Sequence, residues 1–294
     1  MEIQEHVSLA PFTTFGIGGP ADYFIVAKSS EALLEAMQWA KAKKITYFIL
    51  GSGANILIGD KGYRGLVIKN EAKVFEIAGN IVLAESGAVM SEMIKVTAKK
   101  GLSGLEHFAG IPSTLGGALW QNLHFLSPDR KKTLYIGDIV RSAKVYTEDG
   151  EIKKVDKDYF QFGYDASVLH TRKDIVLIAG LTTKVEDPQV IQDRIAANLA
   201  WRAEKHPLEA WKNSAGSVFK KIEGHGSGRL IEQVGLKGHT IGGAQISEKH
   251  ANFIINTGVA TAKDVRDLIT LIQEKVKKDL KLDMQVEISF IGEF

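Results

Sequence analysis

Four glycine-centred segments punctuate the chain and constrain its fold more than any other feature. They are Thr13-Thr14-Phe15-Gly16-Ile17-Gly18-Gly19-Pro20-Ala21, Leu50-Gly51-Ser52-Gly53-Ala54-Asn55, Gly110-Ile111-Pro112-Ser113-Thr114-Leu115-Gly116-Gly117-Ala118 and Ser214-Ala215-Gly216-Ser217-Val218-Phe219-Lys220. A polar stretch, Gly242-Gly243-Ala244-Gln245-Ile246-Ser247-Glu248-Lys249-His250-Ala251-Asn252-Phe253, follows the last of them. Neither a helical nor a strand period runs cleanly through residues 214–220 or 242–253. Small residues beside hydroxyls, amides, a cation and an imidazole suit a polar ligand site, since each buried polar group needs a partner. Either stretch alone reads as a glycine-rich turn capped by serine. Two of them in one half of the chain point to a site.

The 294 residues suffice for two or three domains, each with its own core. A net charge of +2, from 37 basic and 35 acidic residues, is too balanced to indicate nucleic acid, though it leaves room for a local phosphate-binding patch. The chain has no cysteine, which excludes disulfides, thiolate metal sites and thiol catalysis. Its eight histidines lack HxxxH or HExxH spacing, so no metal site is expected. Residues 1–6 carry neither a basic nor an apolar leader region, and no run of about 18 apolar residues occurs, so a cytoplasmic protein without membrane insertion is expected.

Between the glycine segments, strands and helices intermix, which predicts an α+β fold. Leu33, Leu34, Met37 and Ala40 share one helical face over residues 30–43, and residues 45–50 form a strand-length apolar run into Gly51-Ser52-Gly53. The third glycine of a Rossmann fingerprint is missing there, and residues 55–58 and 65–68 read as further strand, so that fold is rejected. What remains is a glycine loop whose backbone N–H groups suit an anion. Hairpins are predicted around Gly79-Asn80 and Asp149-Gly150, and a helix over residues 89–100. Asp187-Pro188 opens another helix, and Thr261 with Asp264 forms a capping box before a face of Val265, Leu268, Ile269, Ile272 and Val276. Strict alternation over residues 284–290 predicts a half-buried strand.

The order and wording of these segments resemble the UDP-N-acetylenolpyruvoylglucosamine reductase family over residues 13–293, in its shorter type. The resemblance implies an FAD-binding pair of α+β subdomains of the vanillyl-alcohol-oxidase type, here residues 1–70 and 71–205, with a C-terminal α+β substrate domain, residues 206–294. It implies that Gly51, Ser52, Gly53, Ala54 and Asn55 cradle the FAD diphosphate and that Gly110, Ile111, Ser113, Gly116 and Gly117 line the cofactor. Binding would be non-covalent, with NADPH as co-substrate and a UDP-sugar as substrate. Hydride would pass from NADPH to FAD and then to the vinyl carbon of an enolpyruvyl ether, in peptidoglycan precursor synthesis. Ser217 of Gly-Ser-x-Phe-Lys is then the proton donor and Glu287 the second catalytic residue. Lys205, Gln245 and Asn122 would contact substrate.

The chain also departs from the family's pattern. Asp165 stands in Gly163-Tyr164-Asp165-Ala166-Ser167 where the family carries arginine, and Ser289 replaces a second arginine in Glu-x-Arg. A carboxylate in place of a guanidinium inverts the local electrostatics. Lys221 replaces an asparagine, and the family's Asn-Ala-Gly-Ala reads Asn122-Leu123-His124-Phe125, leading into Arg130, Lys131 and Lys132. Those three cations, or Arg172, are expected to offset the lost arginines. The alternatives are a flavin oxidoreductase of the same fold with another substrate, or a non-catalytic FAD-binding protein.

Overall fold

The computed structural model describes residues 2–207, 213–222 and 224–294. The chain divides into two compact units. The first comprises Val26–Trp39 and Ile68–Arg202, the second Glu2–Ile25, Ala40–Val67 and Ala203–Phe294.

A five-stranded antiparallel sheet organises the first unit, in the order Ile152–Asp156, Val140–Tyr146, Ile175–Thr182, Ile81–Glu85, Phe75–Ala78. Both expected hairpins are in it: Ala78 pairs with Ile81 across Gly79-Asn80, and Tyr146 with Ile152 across Asp149-Gly150. The helix Met90–Lys99 turns Met90, Met93, Ile94 and Ala98 inward to a core shared with Phe108, Leu115, Leu119, Phe160 and Leu181. At the end of the strand Ile81–Glu85 the backbone reaches out to the third glycine segment. The Gly116 and Leu115 N–H groups donate to the Ser86 and Ala88 carbonyls at 2.7 and 2.8 Å. A Cβ on Gly116 would sit 3.1 Å from the Ser86 carbonyl oxygen, which is why this close approach takes glycine.

The second unit holds most of a four-stranded sheet, ordered Gln4–Ser8, Pro20–Ala27, Tyr63–Asn70, Tyr47–Leu50. Three short antiparallel strands, Thr240–Ile241, Ala244–Ile246 and Ile254–Asn256, follow later in the chain. The helix Ala262–Leu280 buries Val265, Leu268, Ile269, Ile272 and Val276, the face its sequence period marks out. Its capping box is formed, with the Thr261 hydroxyl accepting from the Asp264 N–H at 3.1 Å and the Asp264 carboxylate from the Thr261 N–H at 3.0 Å. The Asp60 carboxylate accepts from the next two N–H groups, those of Ala262 and Lys263.

Residues 284–290 do not form the single strand their alternation predicts. Met284 and Ile288 are buried, but Val286 makes an isolated bridge to Phe219, and Phe290 is 43% exposed. The stretch serves two partners in turn: residues 285–287 bond to residues 218–220, and the strand Ser289–Ile291 pairs in parallel with Ile56–Ile58. Periodicity reports burial and is blind to such a change of partner.

Replacing Thr261 by Ala removes one side of the capping box. It is expected to lower stability by about 1 kcal/mol, read as a drop in urea midpoint with unchanged slope.

Candidate active site

In the second unit, the segment around Ser217 is threaded between two other stretches of backbone. Ser217 bridges Phe253 on one side. On the other, the Val218 carbonyl accepts from the Glu287 N–H at 2.8 Å, and the Lys220 N–H donates to the Gln285 carbonyl at 2.9 Å. Ser217 and Glu287, far apart in sequence, thus occupy adjoining backbone positions, both partly buried. Asn252 locks the arrangement. Its Oδ1 accepts from the Phe219 N–H at 3.0 Å, and its Nδ2 donates to the Phe219 carbonyl at 2.9 Å. The polar reading of residues 242–253 missed this role, because an amide that copies a strand partner leaves no period.

His250 belongs to the same neighbourhood. Its ring meets those of Phe253 and His206 edge-on at 5.0 and 5.6 Å, and its Nδ1 accepts from the Asn252 N–H at 3.3 Å. Burial pushes its pKa below the usual imidazole value. The side chain of Gln245 is tied back to its own sheet, Nε2 donating to the Gly238 carbonyl at 3.3 Å. Lys205 is half-exposed, paired with Glu204 at 2.6 Å.

The glycine loop at residues 51–55 spends two carbonyls on its support. Gly53 accepts from the Thr14 N–H at 3.0 Å, and Asn55 from the Ser289 N–H at 3.0 Å. Gly53 sits at φ +67° with the Phe12 carbonyl oxygen 2.3 Å from where a Cβ would be. The Asn55 Nδ2 is buried with no hydrogen-bond partner among the described residues. An orphaned amide donor on a glycine loop fits an oxygen-rich ligand group. Ser289, where the family carries arginine, is the residue that holds Asn55.

In the first unit, Gly110 lies at φ +83°, Ser113 donates its hydroxyl to the Thr114 carbonyl at 2.8 Å, and the Thr114 hydroxyl accepts from the Gly117 N–H at 3.3 Å. Asn122 caps the helix Leu115–Gln121 in a left-handed conformation, φ +52°. Both ends of its amide are engaged, Nδ2 to the Gly163 carbonyl at 2.8 Å and Oδ1 from the Gly137 N–H at 3.2 Å. It helps line a cavity of about 560 Å³ with Tyr135, Lys157, Gln161, Phe162 and Tyr164.

Asp165, the replacement for the family's first arginine, does not face a ligand as a bare charge. It is 1% exposed, and its carboxylate lies 3.4 Å from the Nδ1 of His124. Two departures from the family's pattern therefore meet, although neither carboxylate oxygen has a hydrogen-bond partner among the described residues. Of the four cations expected to compensate, Lys131 and Lys132 are exposed, and Arg172 lies over the Tyr159 ring at 5.3 Å. Arg130 alone among them turns inward, over Phe125 and Trp201.

Residues 21–156 match the profile of an FAD binding domain, and residues 206–291 match one described as UDP-N-acetylenolpyruvoylglucosamine reductase, C-terminal domain. With the α+β fold and the glycine cradle, the first match defines the class as a flavoprotein oxidoreductase. A protein from Clostridium botulinum (strain Alaska E43 / Type E3), named UDP-N-acetylenolpyruvoylglucosamine reductase, is 38% identical over 99% of this chain and 94% of its own length. One of the same name from Moorella thermoacetica is 40% identical over 100% of this chain and 94% of its own. The crystal structure of the reductase from Thermus caldophilus superposes with a TM-score of 0.84 at 31% identity, covering 99% of this chain and 100% of that one. The chain belongs to the UDP-N-acetylenolpyruvoylglucosamine reductase family.

Because the His250 pKa is lowered in the fold, the unfolded chain binds its proton more readily as pH falls below the ordinary value of 6.5. Stability of the second unit is expected to decline below that pH, with part of the decline removed in His250→Gln. Calorimetric melting at several pH values checks this.

Proposed function

We propose that the chain reduces UDP-N-acetylglucosamine enolpyruvate to UDP-N-acetylmuramate with electrons from NADPH, in the synthesis of peptidoglycan precursors. The observation that carries this reading is the placement of Ser217 beside Glu287 by backbone pairing that Asn252 enforces. The double bond gains a hydride at the vinyl carbon and a proton at the carbon next to the carboxylate. Bound FAD, recharged by NADPH, supplies the hydride. Ser217 supplies the proton: an alcohol is a weak acid, so it serves only where the carbon is strongly basic and the geometry tight. Glu287, in the adjoining stretch of backbone, steadies the protonation. Gly51, Ser52, Gly53, Ala54 and Asn55 hold the diphosphate of FAD through loop N–H groups and the Asn55 amide, while Gly110, Ile111, Ser113, Gly116 and Gly117 line the cofactor.

Lys205 and Gln245 contact the nucleotide-sugar, and Asn122 shapes the turn that carries Gly163. The functional division is residues 1–70 and 71–205 for the cofactor and 206–294 for the substrate. Support for the last boundary comes from the C-terminal profile beginning at residue 206, whereas the compact units divide residues 1–70 between them. Among the described residues no helix is long and apolar enough to cross a membrane, in keeping with work on a water-soluble nucleotide in the cytoplasm. A second reading, the same flavin chemistry on a different acceptor, is favoured by the buried Asp165.

Ser217→Ala is expected to leave flavin reduction by NADPH near normal and to slow reoxidation by the enolpyruvyl nucleotide about 100- to 10,000-fold. Stopped-flow measurement of the two half-reactions decides. Equal slowing of both gives Ser217 a structural role, and a reduced flavin that the nucleotide does not reoxidise favours the second reading. No cysteine exists and no histidine lies in either glycine segment, so the flavin is expected to leave with the supernatant on acid precipitation.

A further inference from the structure

Two arginines of the first unit are drawn inward and, among the described residues, have no counter-ion or hydrogen-bond partner for one buried nitrogen each. Arg202, on the helix Pro188–Lys205, is 7% exposed, and its Nε is buried with no hydrogen-bond partner. Its guanidinium carbon lies 4.0 Å from the centre of the Phe125 ring. The guanidinium of Arg130 approaches the same ring at 5.4 Å and that of Trp201 at 5.2 Å, with Nη1 buried and unpartnered. The contrast with Arg194, about two turns earlier on the same helix, is informative. Arg194 pairs with Glu186 at 2.6 Å and Glu106 at 3.2 Å. The arginine ion pairs among the described residues belong to Arg194 and Arg64, not to Arg130 or Arg202.

Local structure holds both side chains in place. Arg130 sits at φ +59°, a left-handed conformation that an L-residue adopts at an energetic cost. The turn that imposes it is closed by the Ser127 N–H donating to the Lys132 carbonyl and the Arg130 N–H to the Ser127 carbonyl, both at 2.8 Å. The adjacent acid, Asp129, is occupied by the Ser127 hydroxyl at 2.5 Å and the Lys131 N–H at 3.2 Å. Arg202 packs its stem on Gly110, where an added Cβ would lie 2.9 Å from the arginine Cδ. That glycine belongs to the segment expected to line the cofactor.

Burial, and secondarily the charge of Arg130, push the Arg202 pKa down to about 10, so Arg202 is still charged at neutral pH. The aromatic rings offer each cation a face but no hydrogen-bond acceptor. Two guanidiniums that converge on the one Phe125 ring, each with a buried unpartnered nitrogen among the described residues, lack one component, an anion with several oxygens. We propose that Arg130 and Arg202 form an oxyanion-binding site, which takes a phosphate or carboxylate group in charge-assisted hydrogen bonds from both guanidiniums. The site itself stands on this geometry. It rests on the proposed function only for the two candidate sources of the oxyanion, the FAD diphosphate and the anionic groups of the nucleotide substrate.

The test uses full-length holoenzyme as wild type, Arg130→Gln and Arg202→Gln. Three quantities are read: flavin dissociation by fluorescence on dilution, KM for the enolpyruvyl nucleotide, and the melting temperature with and without inorganic pyrophosphate at fixed ionic strength. Loss of a charge-assisted contact is expected to weaken the ligand that supplies the oxyanion about 10- to 100-fold. A raised flavin dissociation constant with unchanged KM assigns the site to the cofactor, and pyrophosphate then loosens flavin in wild type but not in Arg130→Gln. A raised KM with unchanged flavin affinity assigns it to the substrate, and pyrophosphate then raises the melting temperature of wild type only. Arg130 is in a surface turn, so its variant stays folded if Arg202→Gln does not. Folded Arg130→Gln with wild-type flavin affinity, KM and pyrophosphate response overturns the proposal and leaves the pair as aromatic packing. If the nucleotide is no substrate at all, the flavin and pyrophosphate readings still decide.

Discussion

The double hydrogen bond between Asn252 and Phe219 is the constraint on which the rest of the Ser217 segment depends. Residues 217–220 have almost no strand partners of regular length, so their backbone needs substitutes. One amide side chain provides both a donor and an acceptor, and the stretch at 285–287 provides the rest. With those bonds made, Ser217 has one backbone orientation and Glu287 is its neighbour. Without them, buried N–H and C=O groups would be left unpaired, each costing about 1–3 kcal/mol. Positioning of the hydroxyl and stability of the unit come from the same contacts.

Charge in the first unit follows a different logic. The guanidinium that the family carries at position 165 is gone, and its replacement is buried beside His124. A buried carboxylate is costly unless a cation or donor meets it, and the imidazole beside this one, His124, occupies another position that departs from the family's pattern. Among the described residues, the guanidiniums with an unpartnered buried nitrogen are those of Arg130 and Arg202.

The two halves also differ in how their glycines act. Gly53 and Gly116 are required because backbone passes where a Cβ would go. Gly216, at φ +79° with open space around it, is required by conformation alone. Close approach builds the cradles, whereas free conformation turns the chain into the Ser217 segment.

Much of this was legible in the sequence. The capping box at Thr261, the inward face of the helix Ala262–Leu280 and the hairpins at Gly79-Asn80 and Asp149-Gly150 are local, set by residues within one or two turns of each other. The glycine segments and their order carried the family, since glycines at such spacing answer to backbone geometry. What residues 284–290 do was not legible, because an alternating stretch looks the same whether it keeps one partner or changes between two. Nor were the Asp165–His124 pair and the convergence of Arg130 and Arg202 on Phe125. On a helix, an arginine every few residues reads as a solvated face, and only tertiary packing decided that Arg194 meets carboxylates while Arg202 meets a ring. Local hydrogen bonds and backbone sterics are written residue by residue; which charge is buried against which partner depends on elements the chain brings together only when folded.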